Sequence, residues 1–307
     1  MLKKNGWIFI DKPIGLTSNS LLQKVRLNLG RVKAGFVGTL DPLASGCLPI
    51  AIGHATKVIN LAEKVDKEYI FTICWGKQTD TGDLAGRVIK EKKKFPQNYN
   101  IKKILPNFVG KIKQTPPRYS SIKINGSRAY TLARKKIGFE LKKREVKILS
   151  LKLLKQLSFD KAEFYVKCSS GTYIRSLAES ISEALGTVGV LIQLRRVGFG
   201  NFNKNLISLD YFLSLVHSDE QNKAIEPIDQ VFSWIKVLEI NEKQLNKVLN
   251  GNCIEMSFFE NDKFINPSEK YFFARHESEI VALGLIKKKI SIQKGSWLVN
   301  ISESERY

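Results

Sequence analysis

The chain has 307 residues, 43% apolar and 10% aromatic, with 50 Lys+Arg against 29 Asp+Glu and a formal net charge of +21. That length suggests two domains with a core large enough for independent stability, and the composition is that of an ordinary globular protein. No run approaches the roughly 18 apolar residues that a membrane span needs, and the N-terminal apolar run is too short for a signal peptide, so a cytoplasmic protein is expected.

W-I-F-I at 7–10 reads as a short buried strand that stops at Asp11-Lys12-Pro13, where proline interrupts the ladder. Thr17 or Ser18 can cap a helix with Leu22, Val25 and Leu29 on one face and Gly30 beyond its end. A glycine-rich loop, G-T-L-D-P-L-A-S-G, follows. T-K-V-I-N-L-A-E-K-V then predicts a second helix with Val58, Leu61, Ala62 and Val65 on one stripe. Tyr69, Phe71, Ile73 and Trp75 alternate as in a half-buried strand.

Residues 90–130 break this regularity and predict a mobile basic lobe. It comprises a lysine-rich loop, a short helix over I-K-K-I-L-P-N-F-V-G, and an exposed loop over T-P-P-R-Y-S-S-I-K-I-N-G-S-R. Helix is expected again before Gly138. Strands are expected at 144–154 and 161–168, a helix over G-T-Y-I-R-S-L-A-E-S-I-S-E-A-L-G closed by Gly186, and a strand over G-V-L-I-Q-L-R-R-V. A smaller β-rich unit is expected from 229 to 307.

The charge is unevenly placed. Residues 229–307 hold 11 basic and 11 acidic side chains, so residues 1–228 carry the whole excess. Residues 87–167 alone hold 23 basic against 5 acidic. An imbalance of that size, interleaved with Tyr119, Tyr130 and Phe139, favours a polyanion partner over a merely solvated face. Cys47, Cys74, Cys168 and Cys253 are far apart in sequence and only His54, His217 and His276 could join them. That spacing argues against a zinc cluster or a disulfide framework and for buried free thiols.

Asp41 is the one charged side chain in G-F-V-G-T-L-D-P-L-A-S-G-C-L-P-I-A-I-G, residues 35–53. Asp-Pro is a common turn starter. The apolar surroundings also allow a buried carboxylate, which would need a partner. Arg175, in the first turn of its predicted helix, is the candidate. A cation is slightly unfavourable at a helix N-terminus, and a bidentate carboxylate pair would hold it there. A surface arginine on an amphipathic helix is the other reading.

G-T-L-D-P-L-A-S-G resembles the catalytic motif of the TruB family of pseudouridine synthases, which act on uridine 55 of tRNA. D-K-P at 11–13, D-K-E-Y at 66–69, G-K-Q-T-D-T-G-D at 76–83, P-P-R-Y-S-S-I-K-I-N-G-S-R-A-Y at 116–130, S-G-T-Y-I-R at 170–175 and L-R-R at 194–196 follow in the family's order. The resemblance implies an α+β fold, with a mixed, mostly antiparallel sheet core of pseudouridine-synthase type. It places the catalytic domain at 1–228, with a basic RNA-contacting insertion at about 90–130, and a PUA-like RNA-binding domain at 229–307.

By the same resemblance Asp41 is the catalytic aspartate, Tyr69 stacks on the target base, Arg175 pairs with the aspartate and Leu194 packs in the pocket. Lys12 and Pro13 support the active-site loop, and Tyr173 and Asp83 fall in the substrate-binding motifs. Phe36 departs from the family's usual histidine, a residue associated with holding the flipped-out RNA loop. The implied partner is the T-arm of tRNA, bound by a monomer with no metal. No cofactor is expected either, because the reaction breaks the C1′–N1 bond, rotates the uracil and forms a C1′–C5 bond without oxidation. A noncatalytic tRNA-binding or folding protein on the same scaffold is the alternative.

Overall fold

The computed structural model of the chain describes residues 5–202, 206–250, 252, 271–286 and 292–293. In chain order the strands and helices are β1 (Gly6–Lys12), α1 (Ser18–Asn28), β2 (Ala34–Phe36), β3 (Ala44–Ile52), α2 (Ile59–Ala62), β4 (Lys67–Trp75), β5 (Lys77–Thr79) and β6 (Val88–Glu91). Then come α3 (Asn98–Ile104), β7 (Gly110–Gln114), β8 (Lys123–Ile124), β9 (Ser127–Arg128), α4 (Ala129–Arg134), β10 (Arg144–Ser158) and β11 (Lys161–Cys168). The remainder are α5 (Ile174–Ala184), β12 (Gly189–Phe199), β13 (Ile207–Ser208), α6 (Leu209–His217), β14 (Lys236–Glu239), α7 (Glu242–Leu249), β15 (Tyr271–His276), β16 (Glu279–Ile286) and β17 (Ile292–Gln293).

Contacts divide the chain into two compact units, one of residues 1–41, 47–63 and 200–307 and the other of residues 42–46 and 64–199. Neither border falls at 228. Strand β3 begins in the second unit and ends in the first.

In the first unit β1 lies between β13 and β3, and β2 pairs antiparallel with β3. α1 covers these strands with Leu21, Leu22 and Val25, which join Ile8, Ile10, Leu48 and Ile50 in one buried cluster. Thr17 caps α1 by accepting from the Ser20 N–H at 3.0 Å, which satisfies one of the donors a helix start leaves open. The expected helix at 56–65 is instead a 3₁₀ turn over Gly53–Val58 followed by the four-residue α2. Its apolar stripe is still buried at Val58, Ala62 and Val65. Adjacent β-branched Val58 and Ile59 lower the propensity for a longer α-helix. Further along, β14–β15–β16–β17 form a separate small sheet against α7, whose Asn241 and Gln244 make a reciprocal capping box.

In the second unit β12, β4, β11, β10 and β7 follow one another in antiparallel pairs, and β12 takes Ala44–Gly46 of β3 as its parallel neighbour. This is the expected mixed, mostly antiparallel sheet. α5 lies on it with Leu177, Ala178 and Ile181 packed on Phe71, Ile73, Phe164 and Val166. Gly186, at φ +68°, ends that helix, its N–H reaching Glu183 O at 2.8 Å.

The basic lobe holds a short hairpin where an exposed loop was expected. Within the loop expected at 115–128, Asn125 and Gly126 both take positive φ and turn the hairpin β8–β9, as an Asn-Gly pair favours. Lys92–Phe95 does not belong with that hairpin. The Lys92 N–H donates to Gly76 O at 2.9 Å, and the Thr187 hydroxyl donates to Lys94 O at 2.6 Å. Cys47 and Cys168 are buried free thiols and Cys74 is half-buried. Cys253 and most of the expected C-terminal unit beyond it lie outside the described residues.

Gly46 is the tightest point of the second unit. It sits at φ +97°, and a Cβ there would lie 2.2 Å from the Arg196 carbonyl oxygen. Gly46→Ala should therefore cost about 3 kcal/mol or more through strain and displacement of β3 from β12. Urea unfolding of the variant checks this, and an unchanged midpoint would remove the close approach as a constraint.

Candidate active site

Asp41 lies in the connection between β2 and β3, whose register pairs Phe36 with Ile50 and Gly35 with Ala51. Its loop is fastened from below. The buried Ser18 hydroxyl donates to Leu40 O at 3.0 Å and accepts from the Leu40 N–H at 2.9 Å. Thr17 takes the cap of α1, which leaves Ser18 for this second task. Phe36 packs against the cluster built on β1 and α1, where its ring is part of a core.

The cation that Asp41 meets within its own unit is Lys12. Its ammonium is buried and donates to Leu16 O at 2.7 Å and Pro13 O at 3.0 Å. Burial pushes its pKa down from 10.5 to about 8, while the Asp41 charge opposes that shift. Sequence analysis placed Lys12 only in a loop-supporting motif. Its electrostatic link to Asp41, 29 residues away, leaves no local sign. Pro13 is exposed and supplies a carbonyl to that ammonium.

In the second unit Tyr69 stands on β4 opposite Arg196 of β12, and Leu194 stands opposite both Phe71 and Ala44. Tyr69 and Leu194 thus lie diagonally on one face of neighbouring strands, within reach of each other's side chains. Both are half-buried and pack on the same cluster. Ala44 is two residues beyond Pro42, which is bonded to Asp41.

Arg175 is 6% exposed, in the first turn of α5. Its guanidinium donates to Thr81 O at 3.0 Å and Tyr119 O at 2.9 Å, and lies 3.6 Å from the Asp83 carboxylate. Asp83 also accepts from the Thr81 hydroxyl at 2.7 Å and the Ala85 N–H at 3.0 Å. The T-D-T-G-D turn is therefore folded onto the arginine. Gly82 makes this possible, since even a Cβ there would be 3.3 Å from Arg175 Cβ. Burial also pushes the Glu179 carboxyl up, one turn further along α5.

Tyr173 precedes α5. Gln114 holds its backbone at both ends, accepting from the Tyr173 N–H at 2.8 Å and donating to its carbonyl at 2.9 Å. In the sequence Ser18 was legible only as a possible helix cap, and Gln114 and the acceptor role of Tyr119 O not at all. Only the T-G-D turn carried a local signal.

The candidate residues named from sequence fall in both units. Asp41 and Lys12 belong to one, and Tyr69, Asp83, Tyr173, Arg175 and Leu194 to the other. Among the described residues, no group of three or more His, Cys, Asp or Glu could hold a metal ion, and no helix is long and apolar enough to cross a membrane.

The fold is shared with chains of two solved structures. A chain of the "Crystal Structure of a Cbf5-Nop10-Gar1 Complex" aligns with TM-score 0.72 and 24% identity over 96% of this chain and 85% of that one. A chain of the "Structure of H/ACA RNP bound to a substrate RNA containing 2'-deoxyuridine" gives 0.71 and 23% over 95% and 84%. Residues 26–174 match the TruB family pseudouridylate synthase (N terminal domain). The tRNA pseudouridine synthase B of Ehrlichia ruminantium (strain Gardel) is 43% identical over 82% of this chain and 86% of its own. That of Rickettsia bellii (strain OSU 85-389) is 38% identical over 92% and 94%. The chain belongs to the TruB family.

Two predictions follow from the first unit. Ser18→Ala leaves the Leu40 N–H and C=O unpaired and should cost about 2 kcal/mol, seen as a lower denaturation midpoint. For Lys12, the folded pKa of about 8 lies below the ordinary lysine value of 10.5, so the unfolded chain holds more protons between those limits. Stability of the wild type relative to Lys12→Met should therefore rise as pH climbs from about 8 to 10.5. A pH-independent difference would show that the ammonium is not desolvated.

Proposed function

We propose that the chain isomerises uridine 55 in the T-loop of tRNA to pseudouridine, with Asp41 as the carboxylate that acts on the glycosidic bond. The observation that carries this is Asp41 in G-T-L-D-P-L-A-S-G, set on a loop anchored by Ser18 and electrostatically coupled to buried Lys12. Such a built setting is more than an Asp-Pro turn requires.

The reaction conserves atoms and electrons. The C1′–N1 bond breaks, the uracil turns, a C1′–C5 bond forms, and the proton lost from C5 is balanced by one gained at N1. The residues supply position and charge. The target base must leave its stack, at a cost of a few kcal/mol, offset by stacking on an aromatic ring. Tyr69 is the proposed platform, with Leu194 beside it as an apolar wall. Asp41 must stay ionised to act as base or nucleophile, and a fixed cation favours that.

We assign that role to Arg175 together with Lys12. Arg175 reaches the task pre-set by Thr81, Tyr119 and Asp83, so Asp83 is read as a positioning residue, and Tyr173 as shaping the entry to α5. The region from 229 is proposed as a PUA-like unit that adds tRNA affinity, and the enzyme as a cytoplasmic monomer.

Asp41→Asn keeps the side chain's shape and removes its charge. Folding and tRNA affinity should survive, because affinity rests on phosphate contacts, while pseudouridine formation should fall below detection. In the same variant the Lys12 pKa should drop below about 8, since the opposing Asp41 charge is gone. Pseudouridine mapping of tRNA treated with the variant, beside circular dichroism of the same sample, measures both folding and chemistry. Full activity would return Asp41 to the status of a turn residue.

A further inference from the structure

The lysine run at 92–94 lies at the far end of the catalytic sheet. Two independent rulers within the second unit agree. Tyr69 stands near the start of β4, and Gly76, whose carbonyl takes the Lys92 N–H, just follows its end. Seven residue steps separate them, about 23 Å. Arg175 opens α5, while Gly186 and Thr187, which receive Lys94, follow its last turn. That helical path is roughly 16 Å. About 20 Å corresponds to roughly six steps of duplex, well beyond the loop that carries the target base.

This end is built, not merely charged. The Phe95 ring covers Gly76, where a Cβ would lie 3.1 Å from it, and the Lys94 ammonium covers Gly186. Phe95 and Phe159 meet edge to face with centroids 5.0 Å apart. Both stay open to solvent, Phe95 at 41% and Phe159 at 68%. Lys92, Lys93 and Lys94 are exposed, with Lys77 and Lys161 nearby on the same strand ends. Carboxylates at this end include Glu91, 3.9 Å from Lys77, Asp160, held by the Ser158 hydroxyl at 2.6 Å, and exposed Glu183, in the last turn of α5 before Gly186. The five lysines still outnumber these carboxylates, and two adjoining phenyl rings open to solvent add an apolar face to the cationic one.

We infer that Lys92, Lys93, Lys94, Phe95 and Phe159 form a second RNA-binding surface, which takes the backbone and an unpaired base of the tRNA outside the arm being modified. The lysines supply phosphate contacts and Phe159 a stacking face, the combination that binds unpaired nucleic acid without regard to sequence. The inference rests on tRNA being the substrate.

The test compares full-length tRNA with the isolated T-arm stem-loop. Kd is measured across a salt series, and single-turnover pseudouridine formation on both RNAs. K92A/K93A/K94A should weaken binding of full-length tRNA roughly tenfold at low salt, and flatten the slope of log K against log salt by about 2–3. Binding and turnover of the stem-loop should be unchanged. F159A should weaken full-length tRNA about fivefold or more and leave the salt slope as it is. Equal losses on both RNAs, or no loss on either, would overturn the inference. So would a triple variant that loses polyglutamate but not tRNA, which would assign the surface to an acidic protein. A wild-type chain that binds both RNAs and forms no pseudouridine would instead overturn the enzymatic reading, and the affinities would still judge this surface.

Discussion

The close approach of β3 to β12 is the constraint on which the arrangement depends. At Gly46 the two backbones come so near that a side chain would displace a carbonyl, and residues 44–46 align with 194–196. β12 in turn aligns with β4, so Leu194 and Tyr69 share a face. That approach seats Ala44–Gly46, the strand residues that follow the Asp41 loop, without slippage on β12. Small residues achieve that where a larger side chain would hold the strands apart.

Burial of cations is the second feature. In a chain with a net charge of +21, Lys12 and Arg175 are both buried. Each has carbonyl oxygens as acceptors: Pro13 and Leu16 for the lysine, Thr81 and Tyr119 for the arginine. Carbonyl acceptors satisfy the hydrogen-bonding donors and do not neutralise the charge. Positive potential is thus retained around both groups. Asp83 tempers Arg175 at 3.6 Å and at the same time ties its own turn together.

The excess of basic residues between 87 and 167 is not one lobe. The hairpin at 123–128 and the helix α4 make one basic segment, and Tyr119, just before that hairpin, gives its carbonyl to Arg175. The run at 92–94 is fastened near Gly76 and Thr187, past the other ends of β4 and α5. Charge density along the sequence says nothing of this, because β5 and β6 carry the chain between the two ends of the sheet. Phosphate contacts at two ends would orient a long RNA where one patch would only attract it.

Sequence by itself determined the elements whose signal is local. Alternating Phe71, Ile73 and Trp75 read as a strand, and Leu177, Ala178 and Ile181 as one helix face closed by Gly186, because side-chain periodicity is set by backbone geometry within a few residues. Thr17 as a cap and the ordered TruB-like motifs were equally legible. The α2 segment was not, since its stripe is apolar but its β-branched residues favour a tight turn. Only the tertiary structure decided which groups meet. Ser18 with Leu40, Lys12 with Asp41, Gln114 with Tyr173, and Arg175 with Thr81 and Tyr119 are separated by 22 to 94 residues in sequence. Their meeting follows from strand register and from helices packing on the sheet, long-range effects that no local window of residues encodes.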